Sequence, residues 1–456
     1  MKYDLFLFNK KSWLSGILIF LVGHIAMAQT QPLTLKEALQ YALKNYTAAR
    51  KSRLEIENSQ YQINETKAKA LPEISATGAL TYNPLLQLSA LPAELSPGGT
   101  SALIAFGQKW NSNAGISLSQ KVFDKSVFTG LKAVGATREY YLLAQQQTEE
   151  QVLEQVATAY YQVLVQRQKV VVIDSNIQTT TTMQWVIKGQ YENGLAKRID
   201  ADRVAVNLNN LSSQRRQLLN EVSQKENQLK FYMGLPIQAV ISIAQDELSK
   251  IQPQAVPNMD TANVYMRSDY LVLKKQEELL RYQKASAQAA YYPSLSLAGN
   301  YSYQRLSNSF PFGKTTATSP GWFDVASVGL NLKIPIFSGG GNKAKVQQAD
   351  IEIRKLQEDI TDITQSLNLA HENAKSQINN SILALNTQES NVKLAQAVFN
   401  DTQNNYNQGL ATLTDVLDAK NDLTEAQNNY NSALLDYKLA EIQMVKSKGQ
   451  IKTLLN

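Results

Sequence analysis

The sequence predicts a mainly α-helical fold with a small membrane β component: long antiparallel coiled-coil hairpins, with four β-strands contributed to a β-barrel shared between copies. Three observations lead there. Landmarks recur in order through the chain, proline-free stretches carry a four-three apolar rhythm, and strand-like alternation is confined to four pieces between the helical stretches.

The first of the 456 residues read as an export signal. Lys10 and Lys11 precede an apolar run from Leu14 to Ile25 that closes on Ala26-Met27-Ala28, the pattern of a secretory leader over residues 1–28, cleaved before Gln29. The run is shorter than the about 20 apolar residues a membrane-spanning helix needs, and no later stretch matches its apolar length. Any insertion into lipid must then use strands, the other arrangement that satisfies every backbone hydrogen bond.

Composition narrows the chemistry. Cysteine is absent, which excludes disulfides, thiolate nucleophiles and thiolate metal sites. The formal charge is +6; the leader's Lys2, Lys10, Lys11 and Asp4 account for two of those charges, leaving +4. Basic residues are spread along the helices and do not cluster with aromatics, so no nucleic-acid partner is expected.

The repeat organises the rest. Leu71-Pro72-Glu73-Ile74-Ser75 returns as Tyr292-Pro293-Ser294-Leu295-Ser296, Val122-Phe123-Asp124 as Ile336-Phe337-Ser338, and Tyr191-Glu192-Asn193-Gly194-Leu195-Ala196 as Tyr406-Asn407-Gln408-Gly409-Leu410-Ala411, at an offset of about 214 to 221 residues. Such a period is far longer than that of a solenoid. It divides the mature chain into a first copy at 29–241, a linker at 242–262 and a second copy at 263–456. Each copy reads as helix, two strands around a loop, a very long helix, a glycine turn and a return helix.

The long helix of the first copy runs through Ser126–Lys188 without proline and with only Gly130 and Gly135 near its start. Val152, Val156, Ala159, Val163, Gln166, Val170, Ile173 and Ile177 mark its seam at alternating steps of four and three. At 1.5 Å per residue, about 60 residues make roughly 90 Å of helix, more than a globular core requires. In the second copy Leu356, Ile360, Ile363, Leu367, Ala370 and Ala374 keep the rhythm, which then slips to four and four at Ile378 and Ile382, a stutter that unwinds a supercoil locally. The return helices span Leu195–Tyr232 and Ala411–Lys448, the latter with Val416, Leu423, Tyr430, Leu434, Tyr437 and Met444 on one face.

The strands are expected at about 73–83, 112–122, 294–304 and 325–336. Ile74, Ala76, Gly78, Leu80 and Tyr82 alternate with Ser75, Thr77, Ala79 and Thr81; Leu295, Leu297, Gly299, Tyr301 and Tyr303 alternate mainly with Ser296, Asn300 and Ser302. About ten residues suit a tilted membrane strand, with the apolar parity toward lipid and the polar parity toward a lumen. A soluble sheet has the same alternation, so a secreted or periplasmic coiled-coil scaffold with a soluble β-domain and no channel activity stays open as the alternative. In the membrane reading four strands cannot close a barrel, so the chain must be a homo-oligomer. Segments 84–111 and 305–323 then become outer loops.

This order of elements, the opening Leu33-Thr34-Leu35-Lys36-Glu37-Ala38-Leu39, and Tyr406-Asn407-Gln408-Gly409-Leu410 followed by Asp415-Val416-Leu417-Asp418-Ala419 resemble outer-membrane efflux proteins of the TolC type over nearly all of the mature chain. The resemblance implies a homotrimer with one 12-stranded barrel in outer-membrane lipid and a periplasmic helical duct gated at its tip. It also implies a periplasmic adaptor (membrane fusion) protein docking at Asn193-Gly194-Leu195 and Gln408-Gly409-Leu410, and an inner-membrane pump. The gate residues it implies are Asp415, Asp418, Tyr406 and Asp200. Two positions depart from the family pattern: Ala411 stands where an arginine often ties the gate, and Ile199 where a small polar residue is common, leaving Lys197 and Arg198 as substitute links.

Other motifs carry little. Gly339-Gly340-Gly341-Asn342-Lys343-Ala344 fits a dinucleotide fingerprint, but the helix behind it is too long for a βαβ unit. His371, the one histidine beyond the leader, reads as a solvated helix position, and Asp359 and Asp362 as helix surface. No catalytic, cofactor-binding or metal site is expected.

Overall fold

The computed structural model describes residues 32–93, 100, 102–243, 263–312 and 321–455. The leader and all of the linker beyond its first two residues lie outside them, as do parts of both outer-loop segments. The elements are α1 (Leu35–Asn45), α2 (Thr47–Ala68), β1 (Glu73–Tyr82), β2 (Leu88–Leu91), β3 (Ala102–Ala105), β4 (Trp110–Phe123), α3 (Lys125–Glu192), α4 (Arg198–Met233), α5 (Ser268–Ala289), β5 (Ser294–Ser307), β6 (Phe323–Lys333), α6 (Gly341–Asn407) and α7 (Leu413–Ser447), with short 3₁₀ turns at Val264–Met266 and Ile451–Leu455. Two compact units form, one from residues 1–50, 148–263 and 368–456, the other from 51–147 and 264–367. Each draws on both halves of the chain.

The first unit holds the apolar core. A Thr34–Glu37 capping box starts α1: Thr34 Oγ1 accepts from the Glu37 amide at 3.3 Å and a Glu37 carboxylate oxygen accepts from the Thr34 amide at 2.9 Å. Ala38, Leu39 and Ala42 of α1 pack on Leu153, Val156, Tyr160 and Leu164 of α3, Leu229 and Met233 of α4, and Ile442 of α7. Here α3 is buried on two faces, the seam Val152–Val156–Ala159–Val163 and a second stripe Leu153–Ala157–Tyr160–Leu164. Each fully buried leucine contributes about 1.5–3 kcal/mol. Tyr160 keeps its hydroxyl satisfied by donating to the Leu33 carbonyl at 3.0 Å.

Three details of the helices differ from the sequence reading. Beyond Ile173 the buried seam of α3 turns to Asn176, Thr180 and Ile187, while Ile177 is half-buried. Two successive steps of three replace the expected three and four, and the polar seam residue is used: Asn176 Nδ2 donates to Thr424 Oγ1 of α7 at 2.8 Å. In α6 the seam residue after Leu367 is His371, not Ala370, which is exposed. His371 is therefore no solvated position. It is 4% exposed, and its Nδ1 lies 2.9 Å from Ser447 Oγ. Ser447 Oγ also lies 2.8 Å from the Met444 carbonyl, which ties the pair to the end of α7.

The second unit carries a four-stranded antiparallel sheet in the order β1-β4-β5-β6. Ladders run from Glu73↔Ser119 to Tyr82↔Trp110, from Trp110↔Ser307 to Phe123↔Leu295, and from Ser294↔Lys333 to Gln304↔Phe323. Strand β6 stops at Lys333 and does not reach residue 336, because Pro335 has no N–H to donate and restricts Ile334 before it. A separate hairpin, β2 with β3, pairs Leu88↔Ala105 to Leu91↔Ala102 inside the segment expected to be plain loop.

Both faces of the sheet are largely open. The polar parity includes Ser75 and Ser117, whose hydroxyls meet at 2.8 Å. The apolar parity is uncovered: Ile74, Tyr82, Ile116, Tyr301, Val328, Leu330 and Leu332 are each at least half exposed. Both outer strands, β1 and β6, are exposed throughout.

Candidate functional site

The glycine turns at the ends of α3 and α6 are built alike. Leu195 N–H donates to the Gln190 carbonyl at 2.7 Å and Gly194 N–H to Tyr191 at 2.9 Å; Leu410 N–H donates to Asn405 at 2.8 Å and Gly409 N–H to Tyr406 at 2.9 Å. This double bond closes a helix through a left-handed residue. Gly194 at φ +75° and Gly409 at φ +77° supply it, with nothing within 4 Å of either position where a Cβ would be. Asn193 adds a side-chain bond from Nδ2 to the Gly189 carbonyl at 2.8 Å. Leu195 and Leu410 stand 81% and 75% exposed at the two turns, so each tip presents an apolar side chain.

Behind the turns the two hairpins share a small core. Ile187, Val204, Leu413 and Leu417 form one cluster, and Phe399, Val416, Ala419 and Leu423 another; Met183 and Tyr406 pack against both. Tyr406 is half-buried, and its phenol is held above the ordinary tyrosine pKa, first by burial and then by the nearby Asp200 carboxylate in the first turn of α4. The structure thus brings Tyr406 and Asp200 together across the hairpins.

The two aspartates of α7 differ in situation. Asp415 closes a capping box with Thr412: a carboxylate oxygen accepts from the Thr412 amide at 2.8 Å and from Thr412 Oγ1 at 2.7 Å, while the Asp415 amide donates to Thr412 Oγ1 at 3.2 Å. The Thr412 backbone N–H, then its hydroxyl, hold the Asp415 pKa below the usual carboxylate value, so it is charged at neutral pH. Asp418 is exposed and lines a polar groove of ≈ 600 Å³ between α4 and α7, together with Arg203, Asn207, Thr414, Asn421 and Glu425.

Sequence reading missed three residues here. Arg203 donates from Nη1 to Thr414 Oγ1, linking α4 to α7, whereas Arg198 pairs with Asp202 on its own helix at 3.6 Å and Lys197 is the N-cap of α4. Thr412-x-x-Asp415 is a readable capping-box pattern; Arg203 and Thr414, far apart in sequence and ordinary in type, carry no such signal. Among the described residues no group of three or more His, Cys, Asp or Glu side chains is placed to hold a metal ion, and no helix is long and apolar enough to cross a membrane.

Paired helical hairpins with matched glycine tips, and a four-stranded antiparallel sheet with an uncovered apolar face, define a mainly helical protein of long hairpins that carries a small sheet. The chain belongs to the outer membrane efflux protein family, whose model matches residues 38–235 and 267–450. It is 24% identical to the outer membrane protein TolC of Vibrio cholerae over 356 residues, covering 74% of this chain and 77% of the relative. It is also 24% identical to TolC of Escherichia coli over 458 residues, covering 94% and 85%. Crystal structures of CusC share the fold, with a TM-score of 0.71 at 17% identity over 91% of this chain and 92% of that one. Membership places the chain in the outer membrane, as the outer-membrane component of efflux or type I secretion machinery. The soluble-scaffold alternative finds no support.

Proposed function

We propose that the chain is built as two copies of one unit, and that three chains seal one 12-stranded barrel to form a passive exit duct that does no chemistry on its cargo. The observation that carries this reading is the sheet: a β1-β4-β5-β6 order with two exposed outer strands and an uncovered apolar face. An open edge is not tolerated in lipid, and β6 of one copy can pair with β1 of the next until the ring closes. Four strands from each of three copies fall within the range of known membrane barrels.

The gate lies at the hairpin tips. Asp415 and Asp418, three residues apart on α7, share a helical face, and threefold repetition turns them into carboxylate rings that attract cations and repel one another. Within one chain the hairpins are linked near the tips by Arg203 with Thr414 and further along by Asn176 with Thr424, with the Asp200 carboxylate close to Tyr406. The tips at Asn193-Gly194-Leu195 and Gln408-Gly409-Leu410 dock a periplasmic adaptor protein, which couples the duct to an inner-membrane pump that supplies the driving force. Outer-membrane extraction followed by gel migration with and without heating, and conductance in planar bilayers, test the assembly. A heat-sensitive trimer that conducts is expected; a detergent-free soluble monomer contradicts it.

A further inference from the structure

The apolar parity of β5 does not end on an apolar residue. Leu295, Leu297, Gly299, Tyr301 and Tyr303 are followed on the same face by Arg305, opposite Ser112 of β4. Arg305 is 4% exposed, and its Nη1 donates to the Pro311 carbonyl at 2.5 Å, while its Nε has no partner. Ser112 is 2% exposed and its hydroxyl is also unpartnered. Among the described residues no carboxylate pairs with this guanidinium. Asp324, facing Tyr303 in register, is engaged by the Tyr301 hydroxyl.

A buried guanidinium cannot lose its proton, and a buried charge calls for an opposite charge. A neutral carbonyl answers only one of its five donors. Two unsatisfied O–H and N–H groups on neighbouring strands are what a tetrahedral oxyanion takes up, and charge-assisted bonds from arginine outcompete those to a carbonyl.

The surroundings say where that anion comes from. Six rings form a continuous band across the same end of the sheet: Tyr82–Trp110 at 4.6 Å, Trp110–Phe310 at 5.2 Å, Phe310–Phe312 at 5.8 Å, Phe312–Trp322 at 5.9 Å and Trp322–Tyr303 at 5.2 Å. Tyrosine and tryptophan gather at headgroup depth on membrane strands. Arg305 lies two residues beyond Tyr303, about 7 Å further along the strand, and exposed Lys109 adds a second cation at this end.

We propose that Arg305 and Ser112 bind the phosphate of a lipid headgroup at the rim of the sheet remote from the helices, with a phosphate oxygen taking the place of the Pro311 carbonyl. The lipid assignment rests on the barrel reading, under which this rim meets the outer leaflet. Thermal unfolding of the purified trimer in detergent tests it, with bisphosphorylated lipid A, dephosphorylated lipid A and inorganic phosphate as separate additions. Lipid A is expected to raise the transition by a few degrees, and the other two to leave it nearly unchanged. Arg305→Gln should weaken lipid A binding by about tenfold or more; Ser112→Ala, which leaves the guanidinium in place and removes an unsatisfied hydroxyl, should weaken it without lowering the basal transition. An equal shift with dephosphorylated lipid A, or a full shift retained in both variants, overturns the site. A full shift from inorganic phosphate alone overturns the lipid assignment. Trimers that assemble yet show no phosphate-dependent shift refute this site alone, whereas failure to assemble refutes the barrel.

Discussion

Substituting alanine at Gly234 should cost far more than the same change at the hairpin tips, although the backbone angle is nearly the same. Gly234 ends α4 at φ +73°, and a Cβ there would lie 2.7 Å from the Asn45 carbonyl oxygen, 2.8 Å from its carbon and 3.0 Å from the Tyr46 nitrogen. All three are backbone atoms at the α1–α2 junction, so no rotamer change relieves the overlap. The left-handed angle costs about 1–2 kcal/mol for a residue with a Cβ, and forced overpacking adds about 1–3 kcal/mol. Moving the junction also disturbs Tyr46, whose ring stands edge-on to Phe231 at 5.8 Å and Tyr232 at 6.1 Å, contacts worth about 0.5–1.5 kcal/mol each. The angle and the overlap together should therefore cost Gly234→Ala about 2–5 kcal/mol, with any loss of the ring contacts adding to it. Gly409→Ala, at φ +77° in open space, should lose about 1–2 kcal/mol from the angle alone. Denaturant midpoints of the two variants, compared at a common slope, measure the difference. Equal losses would show that the α4 end does not bear on the α1–α2 junction as described.

Further outcomes follow from other groups. Asp415→Ala combined with Asp418→Ala should raise single-channel conductance and weaken block by multivalent cations; unchanged conductance and block would remove the gate from this position. Thr412→Ala deletes the N-cap of α7, worth about 1 kcal/mol, and should speed amide exchange over Leu413–Asp418 while leaving the sheet unaffected; uniform protection would contradict the cap. Glu277 is 4% exposed and bonded by Lys274 at 2.6 Å, Arg281 at 2.7 Å and Gln357 at 3.2 Å, and the Lys274 and Arg281 bonds above all hold its pKa down to about 2. A depressed carboxylate stabilises the fold above its ordinary value of 4.5 and loses that contribution as pH falls toward about 2. With Lys274 and Arg281 44% and 65% exposed, solvent screening brings the effect to about 1–2 kcal/mol. Glu277→Gln should be less stable than the parent at pH 7, with the gap closing between pH 4.5 and about 2; a gap independent of pH would refute the pairing.

What the sequence made legible was what repeats or alternates. Proline-free stretches with four-three spacing marked α3 and α6, because that spacing reports the buried seam of a helix, and polar against apolar alternation marked β1, β4, β5 and β6, because it reports the two faces of a strand. Hidden features were those where a polar residue does an apolar residue's job. His371 sits on the α6 seam because Ser447 satisfies its ring, and Asn176 on the α3 seam because Thr424 bonds it; neither partner is near in sequence. The β2–β3 hairpin escaped notice because four-residue strands show too little alternation inside a Pro- and Gly-rich segment. At the tips, Tyr406, Asp200, Asp415 and Asp418 came from resemblance, not from pattern. The Thr412 cap that fixes Asp415 was readable in Thr412-x-x-Asp415, while the Arg203–Thr414 link needed the fold.

The shared barrel is tested most directly by cross-linking β1 of one copy to β6 of another. The chain has no cysteine, so single cysteines at polar-parity positions such as Thr77 in β1 and Ser327 in β6 report without background. Mixed in one membrane, chains carrying one or the other, scanned over neighbouring register positions, should yield disulfide-linked dimers between different copies at one register and none at registers shifted by two or more residues. Dimers absent at every register, from chains correctly inserted in the outer membrane, would contradict a pore wall sealed between copies.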